Sequence, residues 1–170
     1  MFFQKPKKKS PFEFNRKLDK LADIYASVTC ESAMCFLKML ELNPLDTVDC
    51  QKTFGLMTYI MFIVVGLNEK DVYSIIGSMQ HNMYENGMSK YEINNFFDMS
   101  DKYFQNIVAR LQRHENVADV MKGIFVKEGK YSSDFEATLE VSTAVEAIAK
   151  GYKEFDEKIQ TDIRNHRNNN

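Results

Sequence analysis

Residues 54–67 read Phe54-Gly55-Leu56-Met57-Thr58-Tyr59-Ile60-Met61-Phe62-Ile63-Val64-Val65-Gly66-Leu67, a run without a charged residue whose apolar side chains fall on every side of a helical wheel. Two environments accept such a helix. A bilayer needs about 20 consecutive apolar residues, whereas this stretch covers only ~21 Å at the helical rise. Lys52 and Asp49 stand before it, and Asn68, Glu69, Lys70 and Asp71 follow it. A protein core asks only for neighbouring helices. The run therefore predicts a central buried helix over residues 47–66, opened by Asp46 or Thr47 and closed by Gly66 in a left-handed position.

The sequence around it supplies those neighbours. Ser10-Pro11-Phe12-Glu13 has the form of a capping box with proline at the first helical position. From there Phe14, Leu18, Leu21, Tyr25, Val28, Ser32, Cys35, Met39 and Leu42 recur at steps of four and three, up to Asn43-Pro44. This spacing predicts a helix over 11–42, with a bend expected at Ser27-Val28-Thr29-Cys30 and with Cys35 as a small core residue. Asn68, with Asp71 three residues on, starts a third helix that Asn86-Gly87 ends. Ser89 and Glu92 form a second capping box, opening a helix with Ile93, Phe96, Phe97, Phe104, Ile107, Val108 and Leu111 on one face. Asn116 begins a short fifth helix that ends near Gly129. Ser133-Asp134-Phe135-Glu136 is a third capping box, beginning a long helix to about Arg164.

Composition agrees. The 170 residues include only 3 Pro and 7 Gly, about half the usual ~12% share, and every proline lies in the first 44 residues. An all-β fold would need more turns than this allows. The expected architecture is all-α, a single-domain bundle of about six helices around residues 47–66. Residues 1–10 are expected as a flexible basic tail, 11–165 as the bundle, and 166–170 as a disordered C-terminal tail.

Net charge is −2, which excludes a globally basic nucleic-acid binder. The total conceals a division. Residues 1–20 carry seven basic and two acidic side chains, or +5; the remaining 15 basic and 22 acidic side chains give −7. Cys30, Cys35 and Cys50 are odd in number and lack CxxC spacing, which argues against a disulfide framework or zinc cluster and for a cytoplasmic setting. The first residues lack the apolar segment of a secretory signal, and Phe2 stands where N-myristoylation requires glycine.

Signatures of catalysis are missing from the sequence. Ser78, Leu111 and Ile163 precede the three histidines by three residues, so the Glu-x-x-His of di-iron bundles does not occur. Neither does His-Glu-x-x-His, Gly-x-Ser-x-Gly or a phosphate-binding glycine loop. His81 and Glu85 share a helix face at i, i+4, a spacing that suits a surface ion pair better than a metal. The pairs Asp98 with Asp101 and Asp19 with Asp23 are common on solvated helices. No enzyme activity, cofactor or metal is expected. Met57, Met61, Met79, Met83, Met99 and Met121 fall mostly at core spacing, as gap-fillers.

Two features point to partners. On the last helix Val141, Ala144, Val145, Ile148, Tyr152, Phe155, Ile159 and Ile163 gather on one side, and Glu136, Glu140, Glu146, Glu154 and Glu157 on the other. Glu146–Lys150, Lys150–Glu154 and Glu154–Lys158 are spaced for i, i+4 pairs. With the acidic body, this face suits a basic protein partner and steered association. The expected function is a non-enzymatic protein-binding module, an acidic inhibitor of the physical type of immunity proteins that mask nuclease toxins. The alternative is peripheral membrane docking through Phe2, Phe3, Lys5, Lys7, Lys8 and Lys9, since basic residues near anionic lipid each contribute about 1 kcal/mol. No nucleic-acid partner is expected.

Overall fold

A computed structural model describes residues 20–168 of the chain. Its six helices are α1 (Lys20–Met39), α2 (Thr47–Tyr59, prolonged by a π-helical turn, Ile60–Val65), α3 (Glu69–Glu85), α4 (Lys90–Gln112), α5 (Val117–Phe125) and α6 (Asp134–Asn168). No strand occurs among the described residues. The fold is the expected all-α bundle.

The helix read as central is central. α2 packs on α1, α4 and α5, and its π turn packs on α3 and α6, so this one element touches all five others. Leu56, Met57, Ile60 and Met61 are fully enclosed. By length and composition Thr47–Val65 could cross a membrane; in this fold it is the core helix, with half of that span buried. The burial stops at the far end, where Ile63 is 57% exposed. The ring of Phe62 stacks on Phe104 of α4 at 5.6 Å. Gly55 sits where α2 meets α4, and Tyr103 and Ser100 leave no room there for a side chain.

Helix ends follow the caps in the sequence. Asp46 accepts from the N–H groups of Val48 and Asp49, Asn68 from Asp71, and Asn116 from Ala118. Ser89 and Glu92 complete their capping box in both directions. Gly66 and Gly87 close their helices at φ +80° and +98°. The Met88 N–H then returns to the Met83 carbonyl at 3.1 Å.

Three boundaries differ. α1 stops at Met39 because Glu41, not a glycine, turns left-handed at φ +50°. The N–H groups of Glu41 and Leu42 close a Schellman motif on Lys38 and Leu37, ahead of the proline. α5 ends at Phe125, where Val126 is already extended, several residues before Gly129. α6 continues through Asn168, so helix enters the stretch expected as the tail 166–170. Residues 1–19, including the expected tail 1–10 and the Ser10–Glu13 capping box, lie outside the described residues.

The buried face of α1 also differs. Ala22, Tyr25, Ala26, Thr29, Ala33, Phe36 and Leu37 point inward, while Leu21, Cys35 and Met39 are exposed. The buried stripe is rotated by about one residue from the predicted one. Three alanines occupy it because small side chains let neighbouring helices come close, and large residues alone misplace the phase. Cys35 is therefore a surface thiol and not the core residue expected. α1 remains helical through Ser27–Cys30.

A polar seam joins α1 to α6. Thr29 Oγ1 donates to the Tyr25 carbonyl at 2.7 Å. Its only hydrogen is thereby used, so in the 2.9 Å contact with Tyr152 the phenol donates. Tyr25 donates in turn to Asp156. Burial drives the Tyr25 phenol far above its ordinary pKa, and the Asp156 carboxylate adds to this. At the corner of α1 and α2, Lys127 Nζ reaches the buried Asp49 carboxylate at 2.8 Å. Lys130 caps the Leu40 carbonyl beside it.

The exposed face of the last helix as a candidate functional site

α6 begins rigidly. The Glu136 N–H donates to Ser133 Oγ at 3.1 Å, the first half of the expected capping box. The Glu136 side chain then reaches past Ser133 to the N–H and hydroxyl of Ser132. Those bonds, the Ser132 hydroxyl first, hold the Glu136 carboxyl below its usual range. Lys122 of α5 grips both oxygens of Asp134 at 2.9 Å and also reaches Asp119 at 3.4 Å. The hydrogen bond that the Lys122 ammonium donates to Asp134 is the main reason it titrates above the ordinary lysine value. The first turn of α6 is thus pinned to the helix before it.

Beyond that turn the buried side is the predicted one: Val141, Ala144, Val145, Ile148 and Tyr152 are all under 10% exposed. Glu136, Glu146, Glu154 and Glu157 are exposed on the opposite side, and Glu140 is half-buried beside them. Burial, followed by the nearby Glu140 carboxylate, raises the pKa of the Tyr131 phenol. Of the three expected i, i+4 pairs, Lys150 and Glu154 approach to 3.9 Å.

The five glutamates do not form one uniform strip. From 131 to 149 the chain has four acidic residues (Asp134, Glu136, Glu140, Glu146) and no lysine or arginine. From 150 to 168 it has five basic residues (Lys150, Lys153, Lys158, Arg164, Arg167) against four acidic ones. Glu154 and Glu157 are therefore interleaved with opposite charge, while Glu136, Glu140 and Glu146 stand in a stretch of α6 with no basic residue of its own, Lys122 of α5 pairing with Asp134 at its start.

Two side chains in that stretch were not singled out from the sequence. Phe135 is 76% exposed and Leu139 57%. At ~100° per residue Leu139 points roughly opposite the buried stripe, in the middle of the acidic side, with Phe135 one turn before it. Single exposed apolar residues are ordinary. A pair at i, i+4 on the polar side of an amphipathic helix breaks the pattern, and that break was the signal available in the sequence.

A concavity lies at the C-terminal end of α1. It is a mainly apolar groove of about 450 Å³ bounded by Met34, Cys35, Lys38, Leu42 and Pro44. Among the described residues no group of three His, Cys, Asp or Glu side chains is placed to hold a metal ion. Phe2, Phe3, Lys5, Lys7, Lys8 and Lys9, the membrane-docking set, lie outside the described residues.

Comparison of the chain with protein-family models, curated proteins and solved structures finds no match.

Proposed function

We propose that this protein is a binding module that engages a basic protein partner through the first half of α6. The observation that carries the reading is the exposure of Phe135 and Leu139 inside a one-signed acidic stretch. Apolar side chains held in water give a partner something to bury, and the carboxylates around them select its charge. On a basic enzyme, occupancy of this kind acts as inhibition by masking.

The test is affinity capture from the native host with the full chain as bait, comparing wild type with Glu140→Lys/Glu146→Lys and with Glu154→Lys/Glu157→Lys. A basic protein retained by wild type and by the second variant, but lost with the first, supports the reading. Equal capture by all three baits refutes this choice of face.

A further inference from the structure

Resting on that reading, we infer that the element received by this face is a basic amphipathic helix, whose apolar stripe packs on Phe135 and Leu139 while its lysines or arginines meet Glu136, Glu140 and Glu146. Three features lead there. The anchors lie one turn apart on a convex helix, so they offer a narrow ridge along its axis and no pocket. Such a ridge matches the groove between side chains of another helix. The row Phe135, Leu139, Ser142, Glu146 advances by four, three and four residues, the spacing along which helix recognises helix.

Charge then chooses the occupant. Glu136 and Glu140 flank the anchors on one side and Glu146 continues the row beyond them, with no lysine or arginine between 131 and 149. A second copy of this chain would lay the same acidic stretch against itself, so like charges oppose that pairing. A helix bearing lysine or arginine along one flank of its apolar stripe and again beyond the stripe's end satisfies every one of these groups.

The ridge is also pre-formed. Ser133 and Glu136 cap the first turn, and Lys122 holds Asp134 from α5. The anchors therefore lose little backbone freedom on binding, which favours the complex.

The experiment measures binding of the full chain to two labelled synthetic peptides: an amphipathic helix of leucine and lysine, and the same peptide with each leucine replaced by glutamine. The leucine peptide is expected to bind at least about tenfold more tightly. Phe135→Ala/Leu139→Ala should abolish that preference while leaving the glutamine peptide unaffected. Glu136→Gln/Glu140→Gln/Glu146→Gln should weaken both peptides. Circular dichroism melts of each variant establish that the bundle is intact. Equal binding of the two peptides, or a leucine preference that survives removal of the anchors, overturns the inference even where the glutamates matter. Binding of both peptides that ignores the glutamates overturns the proposed function itself.

Discussion

A Cβ built on Gly55 would stand 2.7 Å from the Cβ of Tyr103 and 2.8 Å from the Ser100 carbonyl oxygen. α2 and α4 therefore meet nearly backbone to backbone at this point. Gly55→Ala should destabilise the protein by about 1–3 kcal/mol, through overpacking that outweighs the helix-propensity gain of about 1 kcal/mol. Gly151, in α6, has nothing within 4 Å of its would-be Cβ. Gly151→Ala should stabilise by about 0.5–1 kcal/mol. Urea unfolding of both variants checks the pair, and a gain at Gly55 would mean that the helices can separate without cost.

Glu41 and His114 take left-handed backbone angles, φ +50° and +62°, at the ends of α1 and α4. Both sites fit glycine better than any residue with a Cβ. His114→Gly is expected to add about 1 kcal/mol of stability. Glu41→Gly should gain less, because Glu41 also approaches Lys130 at 3.8 Å. Thermal melts of the two variants give the order directly.

Burial raises the Tyr152 phenol from 10.0 to about 12. Below pH ~10 the phenol is protonated in both the folded and unfolded chain and its contribution is constant. Between about 10 and 12 the unfolded chain releases the proton and the folded one keeps it, so stability falls as pH rises. The slope from this residue alone approaches ~1.4 kcal/mol per pH unit. Tyr152→Phe should flatten that alkaline loss, at a cost near neutrality of about 1 kcal/mol for the lost bond to Thr29. Denaturant unfolding at a series of alkaline pH values measures both effects.

Leu139→Ser should leave stability within about 0.5 kcal/mol of wild type, because the side chain already stands largely in water. Val141→Ala, two residues on and fully buried, should cost about 1–3 kcal/mol. A large loss at Leu139 would show that it serves the fold, and would remove it from the candidate site.

If the first half of α6 steers a basic partner, association should slow as salt rises, while dissociation changes little. Glu146→Lys should lower the association rate several-fold at low ionic strength. Stopped-flow mixing with the captured partner reads this, and a rate independent of salt would remove steering from the account.

Much of the fold could be read in advance because its helix ends are written in short polar residues. Asp46, Asn68, Ser89 with Glu92, and Asn116 each bond the first free N–H groups of a helix, a local interaction that depends on few distant residues. Interior positions behaved differently. Ala22, Ala26 and Ala33 gained their place in the core from how closely other helices approach, and no local pattern carries that information. Gly55 is a similar case, since its purpose is the backbone of α4. The π turn at Ile60–Val65 gave no sign, as the run is apolar in any register. In the candidate site, the glutamates were visible from their spacing. Their division into an acidic and a mixed half was present in the same residues, and Phe135 and Leu139 were legible only as a break in the polar side of the helix, which the fold turns into two exposed side chains.

One consequence of the central helix concerns how the molecule comes apart. Since α2 and its π turn touch each of the other helices, loss of that helix strips a packing partner from all five at once, while α1 still meets α3 and α6, and α5 still meets α6. Opening at α2 is therefore felt in every other helix. Amide protons buried in α1, α4 and α6 should exchange only through the same global opening, with one shared free energy.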